Sequence, residues 1–70
     1  MNAMTRTVTL NGKAREIEAG TVSGVLAELG LEGGFALVER NGEPVDRAAY
    51  STEEITDGDV LVVARPVAGG

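Results

Sequence analysis

The C-terminal segment of the chain carries the residues that best fit a chemical role. After Arg65 the sequence reads Pro-Val-Ala-Gly-Gly and ends at Gly70. Glycines let a narrow channel approach the backbone from all sides, and Gly70 offers an unhindered α-carboxylate. A carboxylate is a poor electrophile, so it must first be activated, for instance as an acyl-adenylate. The residues beyond Arg65 span at most ~17 Å when extended, which is enough to enter the active site of a neighbouring protein.

The composition argues against catalysis by the chain itself. It contains no histidine and no cysteine, so Ser23 and Ser51 have no imidazole partner and disulfides are excluded. Zinc prefers histidine and cysteine ligands, and the sequence contains neither. Gly33 and Gly34 are not followed by the lysine of a phosphate-binding loop. We therefore predict a protein that is not an enzyme, with no catalytic residues, no metal and no bound cofactor.

Charge and hydropathy narrow the choice of partners. The net charge is −5 and the six basic residues are scattered, so a nucleic-acid partner is not expected. An acidic chain suits a positively charged protein surface. The longest apolar run, 60–64, is far shorter than the ~20 residues of a membrane span. Residues 1–4 contain no apolar segment of signal-peptide length. We expect a cytoplasmic protein with no membrane partner.

The first half of the chain predicts a β-hairpin and a helix. Residues 5–10 alternate with period two, as in a half-buried strand, and 13–18 form the returning strand. Asn11 and Gly12 between them suit a type I′ turn. Thr21 is an N-cap, and apolar residues recur at i, i+3, i+4 and i+7 before Gly30. These are Val22, Val25, Leu26 and Leu29, which predict a short helix over 22–29 with Gly24 as its weakest position.

The second half predicts further strands separated by turns. The elements are a strand over 35–40, a turn at Asn41 and Gly42, an edge element at Pro44, a helical turn over 47–50 and a turn over 57–59. The last strand, 60–65, is a near-continuous apolar run, typical of a strand largely buried in the middle of a sheet. This order predicts an α+β fold of the β-grasp, ubiquitin-like type, with a mixed sheet of about four to five strands on one short helix. We place this domain at 1–65 and a flexible tail at 66–70.

An acidic cluster precedes the last strand. It comprises Glu53, Glu54, Asp57 and Asp59, and it is either a docking patch for a basic partner or a solvated surface. Asp57 and Asp59 are interpreted as residues that shape the turn rather than as acid–base or metal groups. Tyr50 is interpreted as a partly buried hydrophobic plug.

Motifs along nearly the whole chain carry a family resemblance. They are Asn11 and Gly12 after a short strand, Thr21 and Val22 at the start of a helix, the segments 38–43 and 45–47, the Asp57-Gly58-Asp59 turn, and the terminal Gly69 and Gly70. In this order they resemble the ThiS family, the sulfur carriers of thiamine biosynthesis. Two departures are Tyr50, where many relatives carry tryptophan, and the acidic pair Glu53 and Glu54.

The resemblance implies a role as a protein-bound sulfur donor. A ThiF-like enzyme would adenylate the Gly70 carboxylate with ATP. Sulfur obtained indirectly from a cysteine desulfurase would convert it to a thiocarboxylate, which a ThiG-like thiazole synthase would consume. Gly69 would thread the partner's active site, with Ala68, Val67 and Pro66 lining the docking tail.

Several alternatives stay open on the sequence. The small subunit of molybdopterin synthase uses the same chemistry, but a Phe-Pro-Pro approach to its glycines fits the segment 64–67 less well. The sequence does not distinguish a carrier for another sulfur metabolite from a carrier of thiamine biosynthesis. Outside sulfur chemistry, the alternatives are a ubiquitin-like modifier of lysines and a β-grasp interaction module with an inert tail. The partner surface is expected on the threonine face of the first strand or on the strand 60–65.

Overall fold

The computed structural model describes residues 5–31 and 36–65. Within these ranges the chain forms five strands, one α-helix and one 3₁₀ turn. The strands are β1 (Arg6–Leu10), β2 (Lys13–Ile17), β3 (Leu37–Arg40), β4 (Glu43–Pro44) and β5 (Val60–Ala64); the helix is α1 (Val22–Glu28) and the 3₁₀ turn is Arg47–Ala49.

The strands form one mixed sheet in the order β2-β1-β5-β3-β4. β1 and β5 are parallel, with Thr9 beside Val60, and the other neighbours are antiparallel. A parallel pair needs a crossover connection, and the chain between β1 and β5 supplies it through α1 and the second hairpin. The predicted α+β class and β-grasp arrangement are confirmed, and β5 is central as expected.

Both Asn-Gly pairs form the predicted hairpin turns. Asn11 and Gly12 have φ values of 51° and 85°, and Asn41 and Gly42 have 54° and 85°. Asparagine and glycine are the residues that adopt this left-handed region most readily, and two successive positive φ values characterise the turn that matches strand twist. The second turn leads into β4, which contains Pro44 and forms the edge of the sheet as predicted.

The helix begins where its capping residue predicts. The Thr21 hydroxyl accepts a hydrogen bond from the Gly24 N–H at 3.1 Å. The helix ends at Glu28, one residue earlier than predicted, because Leu29 is its C-cap and Gly30 turns the chain with φ 77°. Gly24 weakens the helix in isolation, but a Cβ there would lie 2.8 Å from the Ala19 Cβ. The glycine therefore allows α1 to pack closely on the chain that precedes it.

The core lies between α1 and one face of the sheet. Apolar side chains of the helix pack there with those of the strands and with Ile55. The buried residues of the core are Val8, Leu10, Ile17, Val22, Val25, Leu26, Ala36, Val38, Ile55 and Leu61. One short helix covers one face, so alternate side chains of each strand point away from the core.

The expectation that the last strand is largely buried is wrong. In β5, Leu61 is buried but Val60 and Val62 are 46% and 42% exposed. The apolar run indicated burial on both faces, whereas the sheet is covered on one. Strand β3 begins at Leu37 rather than at 35, and Phe35 lies outside the described residues.

Candidate functional site

The predicted reactive residues lie just beyond the described part of the chain. Pro66, Val67, Ala68, Gly69 and Gly70 are all outside the described residues. The last described residue, Arg65, is exposed and follows β5 directly. The roles given to these five residues therefore stay predictions, and the surroundings of β5 form the candidate site.

The outward face of the sheet is mostly apolar around β5, with the exposed Glu39 beside Val62 as its charged neighbour. We call this the open sheet face and define it by Thr9, Leu37, Val60, Val62 and Ala64. Leu37 is 55% exposed, and it lies beside Ala64 in the ladder between β3 and β5. Thr9 lies beside Val60 across the parallel ladder. The two surfaces that the sequence offered as alternatives are therefore neighbouring parts of one surface.

A shallow groove borders the open sheet face. Its volume is about 280 Å³, and its lining is mostly apolar, including Leu37, Pro44, Val62 and Ala64. Exposed large apolar side chains that adjoin one another mark contact surfaces more often than scattered single ones do. The face and the groove both include Ala64, and one residue, Arg65, separates it from the residues predicted to react.

The Asn11 side chain binds the last part of β5. Its Oδ1 accepts from the Val63 N–H at 2.8 Å, and its Nδ2 donates to the Val63 carbonyl at 3.1 Å. The Asn11 backbone N–H also donates to the Leu61 carbonyl at 2.9 Å. Sequence reasoning assigned Asn11 to a turn and missed this contact, because Asn11 and Val63 are 52 positions apart.

The start of β5 is held by a buried carboxylate. Asp59 is 5% exposed. It accepts hydrogen bonds from Arg40 Nε at 2.8 Å and Asn41 Nδ2 at 3.1 Å. The Thr56 N–H and hydroxyl donate to it at 2.8 and 3.0 Å. Burial alone would raise the pKa of Asp59, but the hydrogen bonds from Arg40, Thr56 and Asn41 outweigh it and lower the pKa to about 2.

The predicted acidic cluster is mostly structural. Glu53 pairs with Arg40 at 3.1 Å, beside the Asp59 contact. Asp57 accepts from the Thr7 N–H at 2.7 Å, which ties the turn to β1. Glu54 is exposed. The interpretation of Asp57 and Asp59 as turn residues is confirmed. The alternative of a solvated surface is wrong for Asp59, which is buried, and for Glu53, which is paired with Arg40.

Tyr50 occupies the position expected of it. Its ring is partly buried against the core, and its hydroxyl donates to the Ala36 carbonyl at 3.0 Å. The interpretation as a partly buried plug is confirmed.

Among residues 5–31 and 36–65, no group of three or more acidic side chains is placed to hold a metal ion. In the same ranges no helix is both long and apolar enough to cross a membrane.

Among the described residues, the sheet order, the one crossing helix and the open sheet face define a β-grasp protein with an exposed and mostly apolar sheet surface. Comparisons with known proteins then identify its family. The model of the ThiS family matches residues 8–70, so the chain belongs to the ThiS family.

Individual relatives agree with that assignment. The chain is 36% identical over 63 residues to the sulfur carrier protein ThiS of Bacillus subtilis, covering 87% of this chain and 96% of the relative. A crystal structure of the thiamine biosynthesis protein ThiS from Geobacter metallireducens matches with a TM-score of 0.76 at 28% identity, covering 91% of this chain and 99% of that one.

A larger relative matches over part of its length. The chain is 37% identical over 62 residues to a thiazole synthase of Paramagnetospirillum magneticum. The match covers 87% of this chain but 19% of that protein. A segment similar to this chain is therefore contained in that much longer protein.

Proposed function

We propose that this protein is a sulfur carrier of thiamine biosynthesis whose working group is the Gly70 carboxylate. The observation that carries the proposal is the extent of the family match, which continues through residue 70 and so includes the terminal Gly69 and Gly70. Nearly full-length similarity to a protein named as a sulfur carrier supports it. The lack of histidine and cysteine in the sequence fits a protein that is acted on by enzymes.

The proposed reaction has three steps. A Gly70 carboxylate oxygen attacks the α-phosphorus of ATP in the site of a ThiF-like adenylating enzyme, and pyrophosphate leaves. A cysteine desulfurase supplies the sulfur indirectly as a protein persulfide, whose terminal sulfur attacks the acyl carbon while AMP leaves. A thiol reductant then cleaves the resulting acyl disulfide, which releases the thiocarboxylate and leaves the thiol as a disulfide. The resulting thiocarboxylate delivers its sulfur to a ThiG-like thiazole synthase. ATP is thus used by the partner, and the carrier binds no cofactor; we place these steps in the cytoplasm.

The carrier's contribution is to dock and to extend its terminus. The open sheet face offers Leu37, Val60 and Val62 to a partner, and burial of such side chains contributes about 25 cal/mol per Å² of apolar area. From Arg65 the five further residues of the sequence reach at most ~17 Å. Docking on the face thus leaves the terminus within reach of a nearby active site. The thiazole synthase that contains a similar segment supports a direct association between these two kinds of protein.

Intact-mass spectrometry tests the proposal. The full chain is incubated with ATP, a sulfur donor and the adenylating enzyme of the same host. We expect a mass gain that corresponds to exchange of one oxygen for sulfur. The chain that lacks Gly70 is the control and should gain nothing. An unchanged wild-type mass, with the enzyme active on another carrier, would contradict sulfur carriage, and an isopeptide link from Gly70 to lysines would instead indicate a protein modifier.

A further inference from the structure

The end of β5 lacks a backbone partner on its β1 side. The parallel ladder pairs Leu10 with Leu61 and stops there, because β1 turns away at Asn11. Val63 is the next residue of β5 whose N–H and carbonyl face that side. An unpaired strand edge exposes hydrogen-bonding groups and is prone to fray. The Asn11 carboxamide satisfies both groups of Val63, at 2.8 and 3.1 Å.

The Asn11 side chain thus acts as one more residue of the ladder. Its position is fixed by its own N–H, which donates to Leu61, and by the hairpin turn with φ 51°. On the other side of β5, the ladder to β3 continues to the pair of Leu37 and Ala64. With Asn11 present, β5 is held from both sides to within two residues of Arg65.

We infer that Asn11 is a positioning residue for the reaction of the carrier: it fixes the end of β5, from which residues 66–70 extend. The inference rests on the proposed function. If Val63 and Ala64 detached from the sheet, the segment of the chain beyond the paired residues of β5 would lengthen from the six residues 65–70 to the eight residues 63–70. The local concentration of a tethered end falls with about the −3/2 power of tether length, so Gly70 would meet a docked active site about 1.5-fold less often.

The matching turn of the second hairpin supplies a control. Asn41 also has a positive φ and also contacts β5, but at Val60, the first residue of the strand. Asn11→Gly and Asn41→Gly each remove one carboxamide, and glycine accepts the positive φ without strain. Asn11→Asp is a milder variant, because its carboxylate accepts from the Val63 N–H but cannot donate to the Val63 carbonyl.

Amide hydrogen exchange measures the contact itself. In Asn11→Gly we expect the Val63 N–H to exchange about two- to tenfold faster relative to Leu61, the loss expected for one neutral hydrogen bond. Asn11→Asp should retain part of the protection, and Asn41→Gly should leave Val63 unchanged. Unaltered Val63 exchange in Asn11→Gly would overturn the inference.

Kinetics with the adenylating enzyme measure the positioning. For Asn11→Gly we expect kcat for thiocarboxylate formation to fall about 1.5-fold with KM for the carrier nearly unchanged, since Leu37, Val60 and Val62 of the open sheet face stay in the sheet. Asn41→Gly, compared at a temperature where both variants are folded, should retain the wild-type kcat. Equal kcat values in Asn11→Gly and wild type would overturn the inference. Wild-type protein that gains no sulfur would overturn the proposed function, and the positioning role with it. The exchange rate of the Val63 N–H would still show whether Asn11 binds Val63, because that measurement does not depend on the enzyme.

Discussion

The two hairpin turns of this protein share a sequence and a backbone shape but hold opposite ends of the same strand. Both are Asn-Gly, with nearly equal φ values at Asn11 and Asn41. Asn41 lies at the start of β5, where it accepts from the Val60 N–H at 2.9 Å and donates to the buried Asp59. Asn11 lies at the end of β5, where both its polar side-chain atoms bind one partly buried residue, Val63.

Two turns with the same sequence and backbone shape can therefore contribute differently to stability. A hydrogen bond to an ionised group contributes about 1.5–3 kcal/mol, against about 0.5–1.5 kcal/mol for a neutral pair. Asn41 belongs to a charged, buried network at the closed end of the strand. Asn11 binds neutral groups at the end that leads to the residues proposed to react. The first turn is therefore expected to serve function and the second to serve stability.

The largest effect on stability is expected from removal of the Asp59 carboxylate, to which Asn41 of the second hairpin turn donates. Asp59→Ala leaves Arg40 Nε and Asn41 Nδ2 without their acceptor in a buried position, so we expect a loss of about 2–4 kcal/mol in the free energy of unfolding. Urea unfolding followed by circular dichroism measures it. A loss below 1 kcal/mol, within the range of an ordinary surface change, would contradict the importance of this network.

The low pKa of the Asp59 carboxylate predicts that the free energy of unfolding depends on pH. The pKa of Asp59 is about 2 when folded, below its ordinary value of 3.8, so the folded state binds fewer protons than the unfolded state between these values. Its contribution to stability is complete above the ordinary pKa and is lost as the pH falls through the folded pKa. Compared with Asp59→Asn, the stability advantage of the wild type should shrink steadily from pH 4 to pH 2. A constant advantage over that range would contradict the assignment.

The two turn glycines should respond alike. Gly12 and Gly42 both have φ 85°, and a Cβ on either would meet no atom within 4 Å. Alanine at each site therefore costs only backbone strain, about 1–2 kcal/mol. Urea midpoints of Gly12→Ala and Gly42→Ala should agree closely. Clearly unequal losses would show that the two turns are less similar than their dihedral angles indicate.

The two asparagines, by contrast, should respond differently. We expect Asn41→Gly to cost about 1–2 kcal/mol, because it loses a bond to a carboxylate, and Asn11→Gly to cost about 0.5–1 kcal/mol. The replacement by glycine is the same in both, so its effect on the unfolded chain cancels in the comparison. Equal losses, measured by the same urea titration, would remove the energetic distinction between the turns.

The smallest effect on stability is expected on the open sheet face between the turns. Val62 is 42% exposed and accepts or donates none of the side-chain hydrogen bonds of Asn11 and Asn41, so Val62→Thr should change the free energy of unfolding by less than about 0.5 kcal/mol. The same change should weaken binding to the adenylating enzyme in calorimetry. Ala27→Ser on the exposed side of α1 is the control and should leave binding intact. Unchanged binding in Val62→Thr would argue for another docking surface.

Local signals predicted most of the fold. Alternation predicted β1 and β2, the capping Thr21 predicted the start of α1, and the two Asn-Gly pairs predicted their turns. Each depends on neighbours within a few positions, where side-chain preference and backbone shape are directly linked. The Asp57-Gly58-Asp59 turn was predicted for the same reason, and Gly58 adopts φ 89° there.

Contacts between distant segments could not be predicted in this way. The apolar run of β5 indicated burial on two faces because sequence does not report how many helices cover a sheet. Nothing local distinguishes Asn11 as a partner of Val63, since the contact exists only once the parallel ladder forms. Burial of Asp59 likewise depends on Arg40 and Asn41 of the other hairpin. The reactive role of Gly70 stays a prediction.

The sheet order also has a consequence for how the chain folds as it is made. β5 is the last of the five described strands in sequence but the central strand in space. Before it leaves the ribosome, the hairpin of β1 and β2 and that of β3 and β4 have no strand between them to join. Pairing Thr9 with Val60 closes a long loop, and such non-local contacts form late and slowly. We therefore expect folding to begin only when β5 is available, so that incomplete chains stay open to proteolysis.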